Sequence, residues 1–136
     1  MRPNPFEQVL IAQTRNSALS GANLRAAGVA LARVARSECL SLLSADGSGE
    51  RIIGSAVSQD DGLPLVDSSR RLDGMDVLLV AGFQAGTAGL TEKARLCRSL
   101  GARRVDAAFL PEEGQVVSGC DQVWALSVGQ PRLVAL

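Results

Sequence analysis

The chain contains no histidine. That removes the one side chain whose charge ordinarily changes near neutral pH, and with it the commonest metal ligand. A Cys–His nucleophile is excluded for the same reason. The three cysteines, Cys39, Cys97 and Cys120, are dispersed. They show neither CxxC spacing nor an even-numbered framework, which is the expectation for a reduced, cytoplasmic protein, and no metal site is expected. No charge of one sign dominates, because Lys+Arg and Asp+Glu each number 14. Basic residues gather only in short pairs such as Arg70-Arg71 and Arg103-Arg104, so neither nucleic acid nor a membrane is an expected partner. No signal-peptide pattern and no membrane-spanning run is visible. Aromatic residues are scarce, at 3%, while apolar residues reach 46%. That balance fits a domain hiding part of its surface in a homodimer, and a tightly packed monomer equally well.

What is present is the pattern of one α/β domain, residues 1–136, large enough to bury roughly 70% of its unfolded surface. The most informative stretch runs from Asp76 to Pro111. Val77 to Val80 is a continuous apolar run, as a strand buried on both faces of a parallel sheet requires. Gly82, Ala85, Gly86, Ala88 and Gly89 then allow a tight turn and a close backbone approach. A helix follows with Leu90, Ala94, Cys97 and Leu100 on one face; Gly101 stops it, and Val105 to Leu110 gives the next strand. Upstream, Gln8 to Ala12 reads as a short apolar run, Gln13 to Ser20 as a polar loop, and Gly21 to Arg36 as a helix. Glu38 to Leu43 and Arg51 to Val57 read as strands, with loops at Ser44 to Ser48 and Ser58 to Leu72. Downstream, Gln122 to Val128 and Arg132 to Leu136 read as a small terminal β appendage. The fold expected is a three-layer α/β domain around a mostly parallel central sheet, with two main helices.

The Asp76–Pro111 unit resembles the type I phosphoribosyltransferase family. In that family two acidic residues follow the apolar strand, then two variable residues, then a Thr/Gly-rich phosphate loop that opens a helix. Here Ala81 and Gly82 replace the acids, Phe83 and Gln84 occupy the variable positions, and Ala85-Gly86-Thr87-Ala88-Gly89 stands where the phosphate loop belongs. Thr91 continues the pattern. Gly21 and Asn23 also match the helix-opening motif of the competence-associated ComF-type branch, although Ser20, Ala22 and Leu24 depart from its arginine, aromatic and glutamine. The resemblance implies a transferase fold with nucleotide or phosphoribosyl binding and little or no transfer activity. The missing acids would have gripped the ribose hydroxyls, at roughly 1.5–3 kcal/mol for each charge-assisted bond. Mg²⁺ is expected only alongside a bound pyrophosphate.

The candidate phosphate-binding residues are therefore Ala85, Gly86, Thr87, Ala88, Gly89 and Thr91, with Arg15 of the first loop as a secondary anion contact. No catalytic residue can be named with the same warrant; Asp60 and Asp61 are the available replacement acids, though Asp-Asp-Gly is also ordinary turn chemistry. Two readings of the small-residue loop stay open at this point. It holds an anion, or it lets a helix pack closely on a sheet in a non-catalytic scaffold that acts through dimerisation or a protein partner. Asp106 is expected at solvent or capping a loop, Asp121 in a turn, Cys97 in the core, and Trp124 in or beside the core.

Overall fold

A computed structural model describes residues 21–66, 71–81, 86–109, 119–126 and 132–134. Three helices, α1 (Gly21–Glu38), α2 (Gly47–Gln59) and α3 (Gly86–Ser99), accompany five strands, β1 (Ser41–Ser44), β2 (Asp76–Ala81), β3 (Arg104–Phe109), β4 (Val123–Ala125) and β5 (Arg132–Val134). The strands form one sheet in the order β1-β2-β3-β4-β5. The first three pairings are parallel, and β5 runs antiparallel to β4. This is the expected three-layer α/β architecture.

Alternation along the central strands sorts side chains onto two faces. Leu42, Leu78, Val80 and Ala108 join Ala27, Leu31 and Val34 of α1 and Ile52 and Ala56 of α2. Leu43, Val77, Leu79, Val105 and Ala107 join Leu90, Ala94 and Cys97 of α3. Val77, Leu78, Leu79 and Val80 are all fully buried, worth about 1.5–3 kcal/mol apiece against exposure. This is why β2 reads as an uninterrupted apolar run. Gly28 lets α1 cross α2 closely: a Cβ there would lie 2.8 Å from the Ala56 nitrogen.

The path of the chain locates the site. After α2, residues 64–66 lie parallel along the free edge of β1, where Leu42 N–H donates to the Pro64 carbonyl and Val66 N–H to the Leu42 carbonyl, both at 2.9 Å. The spatial order is thus the 64–66 segment, then β1, β2, β3, β4 and β5. The chain steps outward from β1 with α2 on one face. It steps back past β1 to β2 with Val66, Leu72 and Met75 packed on the other. Changing face as the direction reverses keeps every crossover the same hand. The reversal point falls between β1 and β2.

Four expectations change. Arg51 to Val57 is not a strand but the heart of α2: Asp46 caps that helix, and Ile52 and Ala56, one turn apart, face the core. The consecutive β-branched Ile52 and Ile53 mimic a strand, but the cap overrides them. Among the described residues there are accordingly three helices rather than two. The C-terminal strands are not an appendage, since β4 pairs in parallel with β3 and extends the main sheet. Helix α1 runs two residues past Arg36, to Glu38, because Cys39 adopts φ 54° and Leu40 N–H returns to the Ala35 carbonyl. A left-handed cap of this kind usually advertises itself with glycine. The stop at Gly101 is as expected, with φ 98° and Ala102 N–H bonded to the Cys97 carbonyl at 3.1 Å. Gln8 to Ala12 and the Gln13 to Ser20 loop lie outside the described residues, as does the segment joining β4 to β5.

Candidate functional site at the β1–β2 reversal

In open α/β sheets ligands sit beyond the carboxyl ends of the strands, at the point where strand order reverses. Here that point is flanked by the turn from β1 into α2 and the turn from β2 into α3. The first is well defined. Asp46, extended at φ −155° and ψ 178°, caps α2, and its Oδ1 accepts the Gly49 N–H at 2.6 Å. Ala45 N–H donates to the Val80 carbonyl at 2.8 Å, tying this turn to β2. A Cβ on Gly49 would collide with that same carbonyl, so glycine is what lets α2 begin so close to the neighbouring strand. Ser48 is also buried, at 4% exposure.

The second turn carries the residues expected from sequence. Gly86, Thr87, Ala88 and Gly89 form the first turn of α3, where backbone N–H groups have no partner within the helix. Thr91 lies one turn along, half-buried, with its polar group engaged. Gly82 and Ala85 lie outside the described residues, as does Arg15. Ala81, the last residue of β2, is buried. Its methyl group offers no acceptor at the first position where the resembled family carries an acid.

The two helix starts differ electrostatically. Helix α2 has a carboxylate at its cap and Glu50 in its first turn, so its positive end is already answered. Helix α3 has no acidic residue in its first turn. An incoming anion is favoured at α3. At α2, the Asp46 carboxylate accepts the Gly49 amide, and Asp46 is engaged in a further interaction besides. The sequence reading passed over Asp46 because it divided the segment into loop and strand. The signal was there: Asp-Gly-Ser-Gly-Glu placed directly after an apolar run and before Ile52 and Ala56.

Other titratable candidates belong elsewhere. Asp60 ends α2, and that helix is 13 residues long, about 20 Å at 1.5 Å per residue. It therefore lies at the opposite end of the sheet from the reversal point, with Asp61 beside it. Arg36 holds it through two bonds, at 2.8 and 2.6 Å, and chiefly those bonds lower its pKa. Neither acid replaces the missing pair. Asp106 is neither at solvent nor a loop cap: it is fully buried on the α1 face. Its Oδ1 accepts from Arg104 Nε at 3.0 Å, and its Oδ2 from Arg104 Nη2 at 2.8 Å and Trp124 Nε1 at 3.3 Å. Arg104 also reaches Glu38 Oε2 at 3.2 Å and Gln122 Oε1 at 3.1 Å. Asp121 serves its turn by accepting the Val105 N–H at 2.8 Å. Cys97 is in the core, as expected, and burial raises its thiol pKa; burial pushes Cys120 up to about 11. Neither is a thiolate nucleophile. Among the described residues no group of three or more Asp, Glu or Cys is placed to hold a metal, and no helix is long and apolar enough to cross a membrane.

No protein-family model, curated protein or solved structure matches this chain.

Proposed function

We propose that this protein binds a small phosphate-bearing ligand with hydroxyl groups, of the nucleotide or sugar-phosphate class, and turns it over slowly or not at all as a phosphoribosyl transferase. The observation that carries this reading is the pairing of two glycine-bearing helix starts at the strand-order reversal, one capped by a carboxylate and the other free of acid. The first-turn amides of α3, from Gly86 to Gly89, would receive the phosphate. Asp46, one strand over, places a carboxylate on the same rim; neighbouring strands are only about 4.8 Å apart. This arrangement substitutes in part for the acids lost at Ala81 and Gly82. A single carboxylate committed to a helix cap is a poor substitute for two free ones, which is why binding is expected to outlast catalysis.

The test is titration calorimetry with phosphoribosyl pyrophosphate, with and without Mg²⁺, beside a nucleoside monophosphate and inorganic phosphate. Saturable heat is expected with each, weakened about tenfold by Gly47→Asp, which puts a second anion at the mouth of the crevice. An acid in the first turn suits a helix, so this variant should keep its fold. No heat from any ligand, with the protein folded, would remove the ligand reading and leave a scaffold that works through a partner.

A further inference from the structure

A second feature lies on the α1 face, toward the amino ends of the strands and away from the crevice. A groove of about 500 Å³ opens between the last turns of α1 and strand β4, lined by Arg33, Val34, Arg36, Ser37 and Trp124. The groove is largely open to solvent, so a ligand would lie along it rather than inside it. The two arginines are not equivalent. Arg36 is spoken for by Asp60. Arg33 is exposed and makes no ion pair among the described residues. The floor is fixed from beneath: the Trp124 indole N–H is held by buried Asp106, which Arg104 anchors in turn. An indole pinned by its one polar atom presents a rigid aromatic surface, and rigidity lowers the entropic cost of stacking a ligand on it.

We infer that this groove is a binding site for a small planar aromatic anion, its ring against Trp124 and its carboxylate or phosphate on Arg33. An aromatic ring gains from an offset or edge contact with the indole. A guanidinium fork matches a carboxylate or a phosphate through two parallel hydrogen bonds. Arg104 neutralises buried Asp106 behind the wall and also reaches half-buried Glu38, while Arg36 is paired with Asp60. The guanidinium left facing the groove without an ion pair among the described residues is that of Arg33. A neutral aromatic would leave that charge unanswered, and a non-aromatic anion would leave the indole uncovered.

Trp124 is the only tryptophan, so a ¹H–¹⁵N correlation spectrum of the full chain contains one indole N–H signal and reads the site directly. Benzoate and phenyl phosphate serve as the carboxylate and phosphate probes, with benzamide as the uncharged control and acetate as the non-aromatic one. The expected result is a saturable shift of the indole signal with benzoate or phenyl phosphate, at least about tenfold weaker with benzamide or acetate, as loss of a charge-assisted pair or of the ring contact implies. Arg33→Ala should weaken the response by a similar factor, and Arg33→Lys should restore part of it. Gly47→Asp, at the other end of the sheet, should leave it unchanged. Benzamide matching benzoate, an unaltered response in Arg33→Ala, or shifts that spare the indole would each overturn the assignment. The ligand comparison on the unmodified chain decides the matter even if the Arg33 variants fold poorly.

Discussion

The two ends of the sheet are built by different rules. At the amino end, where the chain enters each strand, ion pairs gather: Arg36–Asp60, Arg71–Asp73, Arg98–Asp121, Arg103–Asp76, Arg104–Glu38 and Arg104–Asp106. The left-handed residues are there too, with Cys39, Gly74, Gly101 and Gly119 each leading into a strand. At the carboxyl end of β1 and β2 the local chemistry is that of helix starts, small residues and one capping carboxylate. One end satisfies its polar groups through side-chain pairs; the other presents the first turns of α2 and α3. On the proposed function, the carboxyl end is where the phosphate would be held, while the ion pairs of the amino end tie strands and helices together.

The comparison breaks most visibly at Asp106. Its side chain is fully buried while Arg104 keeps 26% of its exposure. Asp106→Ala strips the half-buried arginine of its main partner and should destabilise the fold by about 3 kcal/mol in urea unfolding. Ligand affinity at the crevice, measured where the variant remains folded, should not change. Gly49→Ala works the other way. The added methyl strikes the Val80 carbonyl, and forcing α2 off β2 should cost about 2 kcal/mol and disturb the crevice together with the fold. Asp46→Ala removes a cap bond of 2.6 Å; about 1 kcal/mol of stability should go with it, and hydroxyl-bearing ligands should lose more affinity than inorganic phosphate does.

The smallest effects lie in the exposed ion pairs and are best read from pH. Hydrogen bonds from Arg36, Arg71 and Arg103 chiefly account for the lowered pKa values of Asp60, Asp73 and Asp76. Their folded values lie below the unfolded value of about 3.9, so the stabilisation they provide is present above roughly pH 4 and is lost as pH falls through the folded values. Arg103→Met should therefore lower stability slightly above roughly pH 4 and leave it unchanged below the folded values, which flattens the acid limb of the stability curve. High salt should reproduce part of that flattening in the unmodified protein, because exposed pairs are screened. An acid limb unchanged by the substitution would mean that the amino-end pairs contribute nothing.

How much of this was legible in the sequence depended on whether a signal was local. Val77 to Val80, the face of Leu90, Ala94 and Cys97, and the stop at Gly101 declared β2, α3 and its end, because burial on both faces and a glycine cap leave direct marks. Helix α2 was hidden by two adjacent isoleucines, and its cap at Asp46 was read as loop chemistry. The continuation of α1 to Glu38 was hidden because cysteine rather than glycine takes the left-handed position. The reversal between β1 and β2 had no local mark at all. It depends on residues 64–66 pairing with the outer edge of β1, a contact across more than twenty positions. The same holds for Asp106, whose burial follows from Arg104, Glu38 and Trp124 converging from three elements.

The most direct test of the division between the two ends is a titration of ¹⁵N-labelled protein with inorganic phosphate, following the backbone amides. The account predicts saturable shifts concentrated at Gly86 to Gly89, extending to Gly47 and Ser48, while Gly74, Gly101 and Gly119 stay still. Shifts centred on the arginines of the amino end, or no saturable shift anywhere, would contradict it.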